Sequence, residues 1–486
     1  MGWTILFFTA VAIYFVYALF RFESAMLWLP FFIPLYLWKV EVKGIPFTLI
    51  ECFSYAVLLA YLVRLIYNHF FKRRERCWCE NMADLVKLKK EDNFPWKFFV
   101  PLVLVVAASI YSTLIVPEKS FLIDGVTPFM GRNVALGMLK GWIVVPITMF
   151  VLFFTVIKKP KTILTMFNTY TLSAVFLSLY ALYQVITDSY ITPDARASGP
   201  FESANYLALY ISPAVLYSLI RIKEAVVGVA DPEKGILWKI HFKRRGRPVE
   251  NVSILAFLGA FLVLFIALLF SKSYAAILAV GVSVIVFFGL EYYEFYKAKL
   301  KLKFPWKKVF WGVMVVAVLA LLVYILDPEK WEEMFNFASR NSSSVRLQVY
   351  TIACHLLMTH GISGIGLGQF PLVYQHESLR VLGELPYELN MPHPHNFYVA
   401  LILNIGLVGF MGIMWLIYMA LKEACSRFKS FAWSSVDSIS KIRVISFCML
   451  LIILIHGMFD TPFFKNDLAM LFWIIIAGLL VPVEEN

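Results

Sequence analysis

Apolar stretches of about 20 residues recur along the whole chain and alternate with short polar segments. A transmembrane helix needs roughly 20 apolar residues, so this pattern predicts an all-α integral membrane protein with about 12–13 transmembrane helices. The second stretch is short, and the count is 12 if it forms one broken element with the first. The predicted spans are 3–20, 25–38, 45–66, 98–116, 134–157, 162–186, 205–220, 252–270, 274–294, 309–326, 397–420, 442–459 and 467–483.

Basic residues are distributed unevenly between the segments that join these spans. One alternating set of segments holds 30 of the 44 Lys and Arg residues, and the opposite set holds 9. By the positive-inside rule the first set faces the cytoplasm. The C-terminus is then cytoplasmic, whereas the side of the N-terminus depends on whether there are 12 or 13 spans.

Composition narrows the class of protein further. The chain is 60% hydrophobic, 17% aromatic and only 16% charged, which excludes a soluble globule and a disordered protein. Its formal charge of +12 is typical of nucleic-acid binding, but the basic runs 72–74, 243–245 and 297–303 lie next to span ends. We therefore expect contacts with membrane lipids and none with nucleic acid.

One predicted external segment, 327–396, is much longer than the others. A loop of that length usually has a function. After Ser342–Ser344, which offer helix caps, a set of apolar residues follows helical spacing, and Gln348, Thr351 and His355 lie on the opposite face. The set consists of Val345, Val349, Ile352, Ala353, Leu356 and Leu357. We predict short amphipathic helices here, on the membrane surface or over the bundle, within one polytopic membrane domain spanning 1–486.

Five of the eight histidines fall in this long segment. A solvated polar loop would explain most of them, but the run from Pro392 to Asn396 leads directly into a span. Prolines restrict the residues that precede them, so the run is stiff and places His395 at or just before a helix N-terminus. The helix dipole disfavours imidazolium there, which makes His395 a candidate general base.

The predicted external arginines are few, and they are therefore informative. A guanidinium binds phosphate oxygens in a bidentate manner, so an anionic lipid diphosphate is a natural partner. The alternative is a lipid headgroup or a local carboxylate, such as Asp194 for Arg196 or Glu384 for Arg380. These arginines are Arg132, Arg196, Arg340, Arg346 and Arg380.

Other candidate sites are weaker. Gly364–Gly368 lacks the spacing and the βα unit of a dinucleotide site, and Cys77 and Cys79 have no second cysteine pair for zinc. His393 and His395 with a nearby Glu could hold a metal, but the rigid prolines disfavour it. We predict no metal and no cofactor. The polar residues within spans, Glu51, Arg64, Lys140 and His456, are scattered over different helices, without the paired, interrupted segments of a secondary transporter.

Four stretches, taken together and in order, resemble the O-antigen ligase and O-antigen polymerase superfamily of bacterial polytopic membrane glycosyltransferases. The resemblance covers 196–412, and Lys272 stands where the family commonly has Arg. The stretches are Arg196 to Asn205; Ser271-Lys272-Ser273; Arg346 with the following Gly364–Phe370; and His395-Asn396-Phe397-Tyr398 with Gly406, Gly409 and Gly412, which would form a small-residue packing face.

The resemblance implies transfer of a glycan from undecaprenyl diphosphate to an acceptor hydroxyl, with the active site of this multi-pass inner-membrane protein facing the periplasm. His395 would be the catalytic base. The diphosphate would be bound by Arg196, Arg346, Lys272 and Arg340, and Asn205, His393 and Asn396 would support the site.

Ligase and polymerase differ in the acceptor, which is a lipid A core sugar, a second lipid-linked glycan or, in a protein O-oligosaccharyltransferase, a protein hydroxyl. The spacing from His395 to Gly406 favours a ligase. A different class of function is a non-enzymatic polysaccharide or lipid transporter, whose polar residues should cluster at mid-membrane.

Overall fold

A computed structural model describes residues 2–71, 96–118, 122–123, 127–128, 131–157, 159–192, 194–229, 250–299, 342–428 and 438–482. Helices dominate this part of the chain. In order they are α1 (Gly2–Phe20), α2 (Phe22–Phe32), α3 (Leu49–Phe71), α4 (Trp96–Leu114), α5 (Arg132–Met138), α6 (Val145–Val156), α7 (Pro160–Thr187), α8 (Ala204–Val229), α9 (Glu250–Phe270), α10 (Tyr274–Lys299), α11 (Ser342–His360), α12 (Phe370–Leu382), α13 (Phe397–Phe428), α14 (Ser438–His456) and α15 (Asn466–Leu480).

These helices confirm the prediction of an all-α membrane protein. Within the described ranges, six helical stretches are long and apolar enough to cross a membrane, and five shorter apolar helices accompany them. The six are α1, α3, α5 with α6, α7, α13 and α14. The predicted span 309–326 and the start of the long segment, up to residue 341, lie outside the described residues.

The chain divides into two compact units, and neither is continuous in sequence. Unit 1 consists of Met1–Val156, Glu329–Ala420 and Phe463–Trp473. Unit 2 consists of Ile157–Pro328, Leu421–Pro462 and Ile474–Asn486.

The predicted span 45–66 does not begin as a helix. Strands β1 (Lys39–Val42) and β2 (Ile45–Thr48) form an antiparallel hairpin, and the helix starts only at Leu49. The two-residue loop has positive φ at both Lys43 (52°) and Gly44 (75°), which matches the twist of the strands. A second short hairpin pairs β3 (Leu122–Ile123) with β4 (Thr127–Pro128).

The start of α3 carries a capping box whose carboxylate has a second role. The Thr48 N–H donates to Glu51 Oε2 at 2.9 Å, and the Glu51 N–H donates to Thr48 Oγ1 at 3.4 Å. Glu51 also forms an ion pair with Lys140, which lies in a π-helical turn (Leu139–Val144) between α5 and α6. The two residues lie on different helical elements, as predicted, but they are paired with each other.

Helix α13 is interrupted at Gly406 (φ 67°, ψ 175°), and the preceding glycine-rich loop fills the gap. In a regular helix Leu403 O would accept the N–H of Leu407. Here it accepts the N–H of Ile365 at 2.8 Å, and the Leu407 N–H donates to Ile362 O at 3.1 Å. The segment 362–365 is thus inserted into the helical hydrogen-bond ladder.

This insertion explains why two glycines face each other. A Cβ atom on Gly364 would lie 2.9 Å from the Gly406 nitrogen, and one on Gly406 would lie 2.7 Å from Ile362 O. The prediction that Gly406 belongs to a small-residue packing face is wrong, because its role is to break the helix. Gly412 does pack closely, since a Cβ there would lie 2.9 Å from Pro101 O of α4.

The long segment contains two helices, as predicted, and α11 buries the face that the sequence indicates. Val345, Val349, Ile352, Ala353 and Leu356 form one apolar cluster with residues of α12 and with Leu403 of α13. Thr351 on the other face is exposed. Helix α11 therefore lies over the helices of unit 1 rather than on the membrane surface alone.

In unit 2, helices α7 to α10 and α14 pack on one another. A buried arginine also binds carbonyl groups at the C-terminus of α15. Arg443 of α14 donates from Nη1 to Gly478 O at 2.7 Å and from Nη2 to Val481 O at 2.6 Å. These carbonyls lie at the C-terminus of α15, where the helix dipole favours a positive charge.

We predict that Gly406→Ala destabilises the protein by about 1–3 kcal/mol, because the new Cβ meets Ile362 O and the left-handed backbone becomes strained. Thermal unfolding of the detergent-solubilised chain measures the effect. Gly259→Ala in α9 is the control, since a Cβ there meets nothing within 4 Å. Equal unfolding temperatures for the two variants would contradict the proposed role of Gly406.

Candidate functional site

Arg196 lies in the loop between α7 and α8 and hydrogen-bonds to three acceptors in unit 2. Its Nε donates to Ser271 O at 2.7 Å, its Nη2 donates to Asn205 Oδ1 at 2.8 Å, and its Nη1 pairs with Asp194 Oδ2 at 3.3 Å. The carboxylate partner that the sequence indicated is therefore present. The guanidinium fixes this loop to the turn that joins α9 and α10.

The same loop is also bound by the side-chain amide of Gln184, which the sequence did not indicate as a candidate. Gln184, fully buried in α7, donates to Gly199 O at 2.7 Å and accepts the N–H groups of Gly199 (2.9 Å) and Ser198 (3.3 Å). Gly199 has a φ of +59°, which favours glycine. The available signal was an amide within an apolar span, where polar groups need a specific partner.

Lys272 lies at the tip of the α9–α10 turn, next to the carbonyl that Arg196 binds. Its backbone is left-handed (φ +49°), and it is exposed between the buried Ser271 and Ser273. In the ranges that the structure describes, its ammonium group has no hydrogen bond or ion pair within the chain. Arg196, Asn205 and Lys272 are thus brought together by one pair of loops.

In unit 1, His395 lies two residues before the first residue of α13, which confirms its predicted position. It is half-buried and has a φ of +50°, an uncommon conformation for a residue with a side chain. Its N–H donates to His393 Nδ1 at 3.3 Å, and its carbonyl oxygen accepts the hydroxyl of Tyr350 at 3.1 Å. The imidazole rings of His393 and His395 are 4.5 Å apart, centroid to centroid.

Asn396 caps α13. Its Oδ1 accepts the N–H groups of Tyr398 (3.0 Å) and Val399 (3.1 Å), which have no carbonyl partner in the first turn of a helix. Phe397 is fully buried against Phe463 and Phe472. The start of α13, and with it the position of His395, is therefore fixed by a polar cap and an aromatic anchor.

Arg346 differs from the other described external arginines. Arg132 pairs with Glu118, Arg196 with Asp194, and Arg380 with Glu377, whereas the alternative considered from the sequence named Glu384. Arg346 is half-buried, and nothing in the described part of the chain pairs with its guanidinium. It precedes Tyr350 by one helical turn, so the two side chains share a face of α11. Arg340 lies outside the described residues.

Two histidines of α11 and α12 lie close to Glu377 of α12. His355 Nε2 lies 3.8 Å from Glu377 Oε2, and His376 Nδ1 lies 3.1 Å from Oε1. Nearby on α12, burial and the neighbouring Glu388 carboxylate raise the pKa of Tyr374 to about 12. Its buried hydroxyl is protonated at neutral pH and has no hydrogen-bond partner in the described ranges.

Unit 1 also contains an apolar groove of about 480 Å³ between α1, the β1–β2 hairpin and α3. Phe7, Val11, Phe15, Phe47 and Leu59 are among its lining residues. Its size is that of a small-molecule site, and its walls are suited to a hydrocarbon chain.

Comparison with protein families gives one match, to a family described as O-Antigen ligase, over residues 259–414. Lys272, Arg346, His393, His395 and Asn396 lie inside the matched residues, whereas Arg196 and Asn205 precede them. A comparison with curated proteins gives no match. The match covers about a third of the chain and confirms the resemblance of that part to the O-antigen ligase superfamily, and the described helices are those of a multi-pass membrane protein.

Proposed function

We propose that this protein is an O-antigen ligase that moves a glycan from undecaprenyl diphosphate to a hydroxyl of the lipid A core at the periplasmic face of the bacterial inner membrane. The observation that carries the proposal is the pairing of two features in unit 1. His395 is held at the start of α13, and Arg346, on the helix that Tyr350 ties to His395, has no partner in the described chain.

The proposed reaction forms one bond and breaks one. The acceptor oxygen attacks the anomeric carbon, the bond from that carbon to the diphosphate oxygen breaks, and His395 takes the acceptor's proton. The leaving undecaprenyl diphosphate gains negative charge as the bond breaks. Cations already held in place stabilise that charge, and the reaction needs no nucleotide sugar.

The predicted diphosphate ligands differ in whether their charged groups already have partners within the described chain. Arg346 and Lys272 have no partner in the described ranges, so their charges are available to an anion. The three hydrogen bonds of Arg196 already bind acceptors within unit 2, so its main role is to hold the turn that presents Lys272. Arg340 remains a predicted ligand on sequence grounds alone.

The other activities of the superfamily remain alternatives. A polymerase and a protein O-oligosaccharyltransferase would use the same donor chemistry with another acceptor. A non-enzymatic transporter is less well supported. Although Glu51 and Lys140 do pair and α13 is interrupted, the Glu51 carboxylate is also satisfied by Asn466 Nδ2 at 2.8 Å and the Lys140 ammonium by Pro46 O at 2.7 Å. The polar groups of this cluster are therefore satisfied within the chain, without a ligand.

The first test replaces the two residues of unit 1. We predict that His395→Ala lowers glycan transfer by about 10²–10⁴-fold and Arg346→Ala by about 10²–10³-fold. Transfer is measured in a deletion strain complemented with each variant at equal expression. Arg380→Ala, which removes an exposed and already paired arginine, is the matched control and should retain activity. Full transfer by the first two variants would overturn the assignment.

The second test compares two exchanges that conserve charge. We expect Arg196→Lys to lose about tenfold or more of the activity, because an ammonium group cannot bind three acceptors in the geometry of the guanidinium fork. Lys272→Arg keeps an exposed charge at the tip of its turn and should remain active. If Arg196→Lys is active and Lys272→Arg is not, the two roles have been assigned the wrong way round.

The third test identifies the acceptor class by deleting the gene and extracting the lipid-linked glycans. For a ligase, long glycan chains should accumulate on the undecaprenyl carrier, because the transfer step is lost. For a polymerase, single repeat units should accumulate instead. An unchanged pool of carrier-linked glycans would contradict both activities.

A further inference from the structure

No sequence motif indicated Tyr350. Its side chain links the helix that carries Arg346 to His395. It lies on α11, one helical turn after Arg346, and its hydroxyl donates to the main-chain oxygen of His395 at 3.1 Å. One side chain therefore ties the helix that carries Arg346 to the residue proposed as the base. A parallel link lies nearby, where the Tyr387 N–H donates to Gln348 Oε1 at 2.9 Å.

His395 needs such support because of its backbone. At φ +50° the Cβ of a residue other than glycine is crowded by its own main chain, and such conformations persist only where the surroundings hold them. Here His393 Nδ1 accepts the N–H of His395, and the Tyr350 hydroxyl binds its carbonyl. Both bonds use main-chain atoms of His395, so they orient its side chain without occupying a ring nitrogen.

The hydrogen bond from Tyr350 binds a residue that lies between two fixed parts of the chain. Asn396 and Phe397 fix the start of α13 on one side, and Pro392 and Pro394 restrict the chain on the other. Between them, His395 is the residue that departs from extended or helical backbone. A shift of its peptide group also moves the imidazole, and a misplacement of about 1 Å can lower a rate roughly 10²-fold.

We propose that Tyr350 is a positioning residue that holds the main chain of His395 in the conformation from which the imidazole takes the acceptor proton. The inference rests on the proposed function of His395. Tyr350 touches no reacting atom in this scheme, and its role in it is carried by the hydrogen bond to the carbonyl of His395.

The test is Tyr350→Phe, which removes the hydroxyl and keeps the ring. The assay uses the detergent-solubilised full chain, with lipid-linked glycans extracted from the deletion strain as donor. We expect kcat to fall about 3- to 10-fold, the loss of one hydrogen bond, with KM for the donor and the unfolding temperature unchanged. Hydrogen exchange should become faster in peptides covering Met391–Phe397 and remain unchanged elsewhere.

Tyr374→Phe on α12 is the matched control. It also removes a tyrosine hydroxyl from unit 1, but one that has no hydrogen-bond partner in the part of the chain that the structure describes, so activity and exchange should match the unmodified protein. An unchanged kcat in Tyr350→Phe overturns the positioning role. So does a rise in the donor KM that accounts for the loss, since that would indicate a contact with substrate, or a loss that follows a fall in unfolding temperature.

A further variant separates failure of this inference from failure of the proposed function. Full transfer by His395→Ala would remove the proposed function, and the inference with it. Loss of transfer in His395→Ala together with a normal kcat in Tyr350→Phe would leave the proposed function intact and overturn the role of Tyr350 alone.

Discussion

A helix that breaks inside a membrane protein must find new partners for its backbone groups, because the hydrocarbon core offers none. At Gly406 the chain meets this constraint with the backbone of its own glycine-rich loop. Leu403 O and the Leu407 N–H exchange hydrogen bonds with Ile365 and Ile362, so the helical ladder is extended through a neighbouring segment. The break is thus compatible with a stable fold, and it fixes the loop that connects α11 to α12.

Side-chain amides on the helices also bind backbone groups of neighbouring loops. Next to the break, Asn404 Oδ1 accepts the N–H of Gly368 at 2.9 Å, and the Asn404 carbonyl accepts the hydroxyl of Ser112. In unit 2, Gln184 binds both the N–H and the carbonyl of Gly199. In each unit a buried amide on an apolar helix satisfies backbone groups of a loop: the α11–α12 loop in unit 1 and the loop that carries Arg196 in unit 2. Hydrogen bonds from a helix therefore fix the backbone of the loop that carries Arg196, although this loop lies outside the helices themselves.

The sequence predicted the helices well because hydrophobic length and spacing determine them. Most helix positions, the buried face of α11 and the start of α13 all follow from patterns of apolar residues. The hairpin before α3 was missed because β2 is mostly apolar and adjoins the span, so its residues were counted with the helix, although β1 alternates charged and apolar residues. The insertion at Gly406 and the pairing of Glu51 with Lys140 depend on contacts between distant segments, which periodicity does not record.

The candidate residues were predicted by type more successfully than by role. The sequence marks external arginines as unusual, but it does not indicate which of them have carboxylate partners. Arg132, Arg196 and Arg380 have such partners, and charges of this kind contribute little to binding a further anion, because each has already exchanged water for an acceptor. Arg346 has made no such exchange within the described chain. It lies one helical turn from the tyrosine that binds His395, and in a preorganised site a cation placed in this way gains most when charge develops on a leaving group.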